Sequence, residues 1–447
     1  MTKRATFTTK LGVIAATAGS SVGLGNIWRF PYETGQNGGA AFLLLYFICV
    51  LVLGLPVMVA EFTIGRSARA NASRAFLKLT PKTHWYVVGV LGIFAAVFIM
   101  GFYSVIAGWT LDYVYQSLTF GLADKSPEQF QTAFTQFTAD AVRPIFWTFL
   151  FLSINYVILV KGVQNGIEKA SNILMPVLFI LLVIFGVRSL FMPGAAEGLS
   201  FMFKPDFSKV DSGIILKAMG QAFFSLSLGM GTLITYASYF SDRTSLVKTA
   251  GTVATLDTLV AIMAGIVIFP AVFSFGISPS QGPQLIFITL PNVFQQMPGA
   301  YFWSLLFFVL VSVAALTSTI SLCEVAISYL HEEFGMSRRR ATLILVLVCF
   351  FMSTLCSLSF GPLRQVTIGS LTIFDFCDFL SSNILLPLGG LLIAIYVGWV
   401  LDKKFVRNQI SDGGRINVWY FDLLMISLRF IAPVAISLIF LSGLGLF

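Results

Sequence analysis

The sequence predicts an all-α polytopic membrane protein that crosses the bilayer eleven times, as one transmembrane domain over residues 1–447. Hydrophobic residues make up 57% of the chain and charged residues 11%, with a mean hydropathy of +0.87. Bilayer spans require that balance and a soluble core does not. Eleven apolar runs are long enough to cross roughly 30 Å of hydrocarbon. They lie at about 11–32, 40–64, 86–118, 143–160, 170–191, 213–239, 250–276, 301–330, 341–360, 370–400 and 419–446. Most of the 28 lysines and arginines fall in segments on the N-terminal side of this arrangement. The positive-inside bias then places the N-terminus in the cytoplasm and, with an odd span count, the C-terminus outside. For a bacterial chain the membrane is the inner (plasma) membrane.

Taken in order, the spans differ in what interrupts them. Span one follows a short polar segment and carries no small-residue cleavage site, so it reads as a helix and not as a signal peptide. Its apolar start runs into Gly19, Ser20, Ser21, Gly23, Gly25 and Asn26, then Arg29 and Pro31. Spans two to five are apolar apart from Glu61 and Asp112, with Arg143 and Arg188 at span ends. Span six is interrupted between Gly220 and Gly231 by Ser225, Ser227 and Gly229. Span seven holds Asp257 among Thr255, Leu256, Thr258 and Leu259, and span eight holds three consecutive hydroxyls at Thr317, Ser318 and Thr319. Glu324, Asp375, Asp378 and Arg429 complete the charges read as lying away from span ends; Asp112 and Arg429 read as near-interface residues that snorkel.

Several function classes fall away. The net charge of +8 follows from the loop asymmetry, so nucleic-acid binding is not expected. All five cysteines lie in apolar spans as small hydrophobes, and no metal-ligand spacing occurs, which removes disulfide, zinc and redox readings. No histidine or lysine lies beside the mid-membrane serines, so an intramembrane nucleophile lacks a base.

A polar group in hydrocarbon is costly, and a broken helix survives only where protein, water or ligand satisfies its backbone. A half-helix ending near Gly19 frees carbonyls that suit a hard cation; one starting near Leu24 frees N–H groups that suit a carboxylate. One break can therefore hold a sodium ion and an amino-acid head group. The alternative is that these glycines only permit close helix packing; it leaves Asn26 and Arg29 unexplained. Asp257 reads either as a cation ligand or counter-charge, or as a protonated acid bonded to nearby hydroxyls. Broken spans in corresponding positions of two halves mark a transporter binding site.

The segments Ala18–Pro31 (AGSSVGLGNIWRFP), Glu33–Gly39 (ETGQNGG), Gly220–Gly231 (GQAFFSLSLGMG) and Ala315–Thr319 (ALTST) resemble the neurotransmitter:sodium symporter family. The resemblance runs over essentially the whole chain and is nearest to the shorter bacterial amino-acid transporters. It implies two inverted five-helix repeats, about 11–191 and 213–400, with broken helices one and six and an extra helix at 419–446. It also implies two sodium sites. One uses the Ser21 carbonyl, Asn26, Ser225, Asp257 and the substrate carboxylate; the other uses the carbonyls of Gly19, Val22 and Ala314 with the hydroxyls of Thr317 and Ser318. The substrate carboxylate would meet the amides of Leu24 and Gly25 and the Tyr103 hydroxyl, and its ammonium the carbonyls of Ser21, Phe224, Ser225 and Ser227.

The side-chain pocket implied by the resemblance is Ile99, Tyr103, Phe224, Met230, Ser318 and Leu322, which suits large hydrophobic or aromatic amino acids. Monoamine-carrying relatives place an aspartate where this chain has Gly23, so a zwitterion is favoured. Chloride-dependent relatives place an asparagine at the Asp257 position, with a tyrosine and a glutamine matching Tyr46 and Gln221. Here the carboxylate supplies that charge, and transport is expected to be chloride-independent. Arg29 is the expected outer gate, against Asp378 or Asp375 with Phe224 as lid; Arg4 and Phe7 are the expected inner latch, with Glu332 as partner and Tyr239 nearby. Glu61 is expected to satisfy N–H groups freed by the second break, and Gly166 with Pro176 to weaken the inner half of span five. The expectation is a sodium-coupled amino-acid importer working by alternating access. An amino-acid sensor that binds without net transport is the competing reading.

Overall fold

The computed structural model describes residues 4–123, 125–276 and 285–446. Each predicted run is helical. Among the described residues, eight continuous helices are long and apolar enough to cross a membrane: Ala40–Ala68, Tyr86–Leu118, Val163–Leu190, Leu246–Ser274, Ala300–Glu333, Arg338–Leu358, Ile373–Val400 and Phe421–Gly443. Span one is a bent pair, Lys10–Ser21 and Gly25–Gln36, turning by 51° at its break. Span four is Arg143–Leu159, preceded by the polar helix Pro127–Ala139 at 73°. Span six is divided into Ser212–Ser225 and Thr232–Ala237. The only strands among the described residues are the short pair Thr367–Ile368 and Leu371–Thr372.

Local chemistry explains both interruptions. The first half of span one starts on a Thr9 cap and stops where Val22 turns extended (φ −72°, ψ 111°), its N–H still reaching the Ala18 carbonyl. In span six Ser227, Gly229 and Gly231 all take positive φ (56°, 79° and 74°). Glycine adopts that region at little cost, but a serine there is strained and must be held by its surroundings. The Ser227 hydroxyl is held by the Ser20 carbonyl at 2.9 Å, so the two breaks brace each other.

Span three packs on spans four, eight and nine, and the first half of span one lies against spans five, seven and eight. One continuous apolar core runs through the bundle. Large apolar side chains are exposed on the outside, including Phe47, Ile48 and Leu51 of span two and Val183 and Val187 of span five. In water such a surface is a liability; in a bilayer it is the lipid contact. Span five begins with an irregular turn at Val163–Glu168 containing Gly166, and Pro176 lies inside its helix. Asp112 departs from the expected snorkelling: it is wholly buried, accepting from Arg143 Nε at 2.8 Å and from Gln116. The adjacent Arg143 supplies the partner that span three alone does not reveal. Arg429 donates to the Gly398 carbonyl and stacks on Trp399.

Candidate functional site

The two breaks face each other at one depth, beside spans three, seven and eight. A cavity of about 30 Å³ lies between them, lined by Ser20, Ser21, Gly23, Gly25, Ile99, Tyr103, Phe224, Ser225, Ser227, Met230, Ser318 and Leu322. Every expected substrate residue is among these except Leu24, whose N–H points to the Tyr103 hydroxyl at 2.9 Å. Gly23, which the sequence had singled out for the absence of an aspartate, is one addition, and Ser20 is the other. Its hydroxyl is buried without a protein partner, and a serine inside a broken motif offered no signal to separate it from Ser21.

Of the residues expected at the first sodium site, Asn26 and Ser225 converge on Asp257, while Ser21 lines the cavity and its hydroxyl donates to the Leu226 carbonyl. The Asp257 carboxylate is fully buried and receives Asn26 Nδ2 (2.7 Å), Tyr46 Oη (3.0 Å) and Ser225 Oγ (2.8 Å). Asn26 also reaches Ser225 Oγ at 3.1 Å, and its own oxygen accepts the Gly23 N–H at 3.0 Å. Four spans thus meet at one carboxylate. Gln221, from the neighbouring turn, reaches the Gly25 carbonyl at 3.4 Å.

The residues expected at the second sodium site meet at the Val22 carbonyl. Thr317 and Ser318 each donate to it at 3.2 Å, and Thr317 also donates to the Ala314 carbonyl at 2.9 Å. Gly19 packs on Thr317, where an added Cβ would lie 3.3 Å from the threonine side chain. All these groups are neutral oxygens, the donor set a hard cation prefers. A polar cluster between spans one and eight has this chemistry without any charged ligand.

Glu61 is buried in span two and accepts the Gly229 N–H at 2.8 Å, as expected of a group that satisfies the second break. Above the cavity stands a vestibule of about 270 Å³ that holds Arg29, Asp378, Tyr32 and Phe374, with Tyr103 and Phe224 in the partition between the two spaces. The vestibule separates the two carboxylates the sequence left open: Asp378 lines it together with Arg29, whereas Asp375 is exposed and accepts from the hydroxyl of Thr372, the residue that caps its helix. The expected Arg29–carboxylate pair is not closed. Arg29 lies over the Phe224 ring at 4.3 Å, and no ion pair joins it to Asp378 among the described residues.

The opposite end is shut. Arg4 pairs with Glu332, donates to Ser238 at 3.1 Å and stacks on Tyr239 at 4.7 Å. Phe7 packs among Tyr236, Tyr239 and Phe240. Beneath them, Glu324 is buried and takes both Arg338 (2.6 Å) and the Tyr239 hydroxyl (2.6 Å). The sequence placed Glu324 within span eight but gave no hint of this link to span nine.

Comparison with known proteins agrees with this geometry. The model of the sodium:neurotransmitter symporter family matches residues 4–141 and 138–446. A sodium-dependent transporter of Bacillus subtilis, YhdH, is 36% identical over 98% of this chain and 97% of its own length. A sodium-dependent transporter of Haemophilus influenzae is 37% identical over 99% of this chain and 98% of its own. The crystal structure of MhsT in complex with L-phenylalanine superposes with a TM-score of 0.91 at 45% identity, covering 99% of this chain and 100% of that one. A shared helix order, with both spans opened at the same depth, accompanies the sequence match along the whole chain, which belongs to the sodium:neurotransmitter symporter family.

Proposed function

We propose that this sodium-dependent membrane transporter imports hydrophobic and aromatic L-amino acids by alternating access, using two sodium ions and no chloride. One observation carries the substrate class. Peptide groups freed at the two breaks look into a cavity whose remaining walls are Ile99, Tyr103, Phe224, Met230 and Leu322. Backbone dipoles recognise the zwitterion, while the apolar walls select its side chain. Gly23 leaves no acidic group in the wall to replace a substrate carboxylate, and the structure of MhsT with L-phenylalanine supports the same class. Met230 is unbranched and adapts to side chains of different outline.

The first sodium ion is held by the Ser21 carbonyl, Asn26, Ser225 and Asp257, and the substrate carboxylate completes its shell. That shared ligand couples the two binding events directly. The second ion is held by Gly19, Val22, Ala314, Thr317 and Ser318. Arg29 and Asp378 close above the loaded site, and Arg4 with Glu332 opens on the cytoplasmic side, where the N-terminus lies. The observed combination of a shut Arg4 end and an unpaired Arg29 end supports a substrate-accepting state.

The decisive experiment is uptake of an amino-acid panel into proteoliposomes, with sodium varied. Expected is sodium-driven accumulation of phenylalanine, tryptophan, tyrosine or leucine, with labelled leucine displaced by aromatic amino acids. Displacement by glycine or alanine alone would refute the size claim, and binding without accumulation would indicate a sensor. Replacing external chloride by gluconate should leave initial rates unchanged within error, because Asp257 already supplies a buried negative charge. Abolished uptake in gluconate would exclude chloride independence.

A further inference from the structure

The geometry points to a binding site for the phosphate headgroup of an anionic phospholipid at the foot of spans one and seven, separate from the transport site. A cavity of about 520 Å³ there is lined by Lys10, Arg243, Lys248 and Arg415, on three separate segments of the chain. None of these four makes an ion pair among the described residues. The cavity also contains Asp242 and Asp412, but both are engaged from outside it: Asp242 by Arg69 at 2.7 Å and Asp412 by Arg66 at 2.7 Å. Two arginines that do not line the space thus take its carboxylates and leave four cations facing it. Unneutralised cations converging from three segments repel one another, and a phosphate offsets that cost with charge-assisted hydrogen bonds.

The surroundings identify the source of the phosphate. Val13 and Ile14 form an apolar wall of the same cavity, and Leu11, one residue from Lys10, is 63% exposed. Trp419, close in sequence to Arg415, is 79% exposed, as expected of an interfacial aromatic anchor. The site is therefore cationic at its rim and apolar on the side of span one, which matches a headgroup with its acyl chains and not a free ion. Juxtamembrane cations on the cytoplasmic side meet the anionic leaflet, and each contributes about a fivefold preference for anionic lipid. Lys10 stands on the first half of span one, whereas Arg243 and Lys248 flank the start of span seven. A headgroup bridging them clamps that half-helix against the bundle and favours the state in which Arg4 and Glu332 are paired.

The test compares wild type with R243Q/K248Q/R415Q, all full-length, in nanodiscs of phosphatidylcholine alone, with 20% phosphatidylglycerol, or with inorganic phosphate added. Expected is one more phosphatidylglycerol retained by wild type in native mass spectrometry, with a preference over phosphatidylcholine that drops about fivefold for each charge removed. Thermal denaturation should shift upward with phosphatidylglycerol in wild type only, and sodium-dependent substrate binding in phosphatidylcholine should be equal in both proteins. Equal lipid retention by the variant would overturn the proposal. So would an equal thermal shift with inorganic phosphate, which would show a free-anion site. If the triple variant fails to fold, K248Q alone must lower that preference about fivefold or the proposal fails.

Discussion

Asp257→Asn is expected to lower sodium-driven uptake in chloride-free medium by about 100-fold and to recover at least tenfold when chloride is added. The wild-type carboxylate is fully buried and gathers Asn26, Tyr46 and Ser225 around it. Asparagine keeps the shape and the hydrogen-bonding reach but removes the charge. Loss of one charged partner in such a site costs about 3 kcal/mol, or roughly a hundredfold in apparent affinity. The Tyr46 hydroxyl and the Gln221 amide nearby are donors that an anion can use once the carboxylate is gone. The measurement is initial uptake against sodium concentration, in chloride and in gluconate. Undiminished uptake by the variant in gluconate would remove Asp257 from the ion site.

Gly23→Ala should abolish substrate binding, by about 100-fold or more, while leaving the protein folded. A Cβ at this position would lie 2.9 Å from the Tyr103 hydroxyl and still nearer the Ser318 hydroxyl. Both groups line the central cavity and neither can retreat freely. Tyr103 is bonded to the Leu24 amide, and Ser318 is bonded to the Val22 carbonyl. Overpacking of this kind costs about 1–3 kcal/mol in stability, which a large bundle tolerates, but it fills the space the substrate needs. Gly251→Ala is the comparison: its Cβ would meet nothing within 4 Å, and binding should be unchanged. Equilibrium binding of labelled phenylalanine with and without sodium checks both. Normal affinity in Gly23→Ala would place the substrate elsewhere.

The sites of the breaks were legible because glycine, serine and asparagine cannot sit in an apolar run without a reason. The same rule marked Asp257 and Glu61. It marked Asp112 too, but as a snorkelling residue, because its partner Arg143 lies in the next span and hydropathy says nothing about which spans touch. The choice between Asp375 and Asp378 was likewise invisible. The two are one turn apart on span ten, and only the orientation of that helix shows which one shares the vestibule with Arg29.

Composition and residue order alone therefore determined an α-helical membrane chain, the location of its spans, the two places where a helix must open, and the oxygen-rich character of what gathers there. These follow from local rules: length against bilayer thickness, backbone satisfaction in hydrocarbon, and the cost of a buried charge. Tertiary structure alone decided which carboxylate shares the vestibule with Arg29, that among the described residues Arg4 is ion-paired while Arg29 rests on Phe224, and that Arg66 and Arg69 free four other cations. Those depend on distances between residues hundreds of positions apart. Helix rotation and packing set such distances, and a one-dimensional pattern carries no record of them.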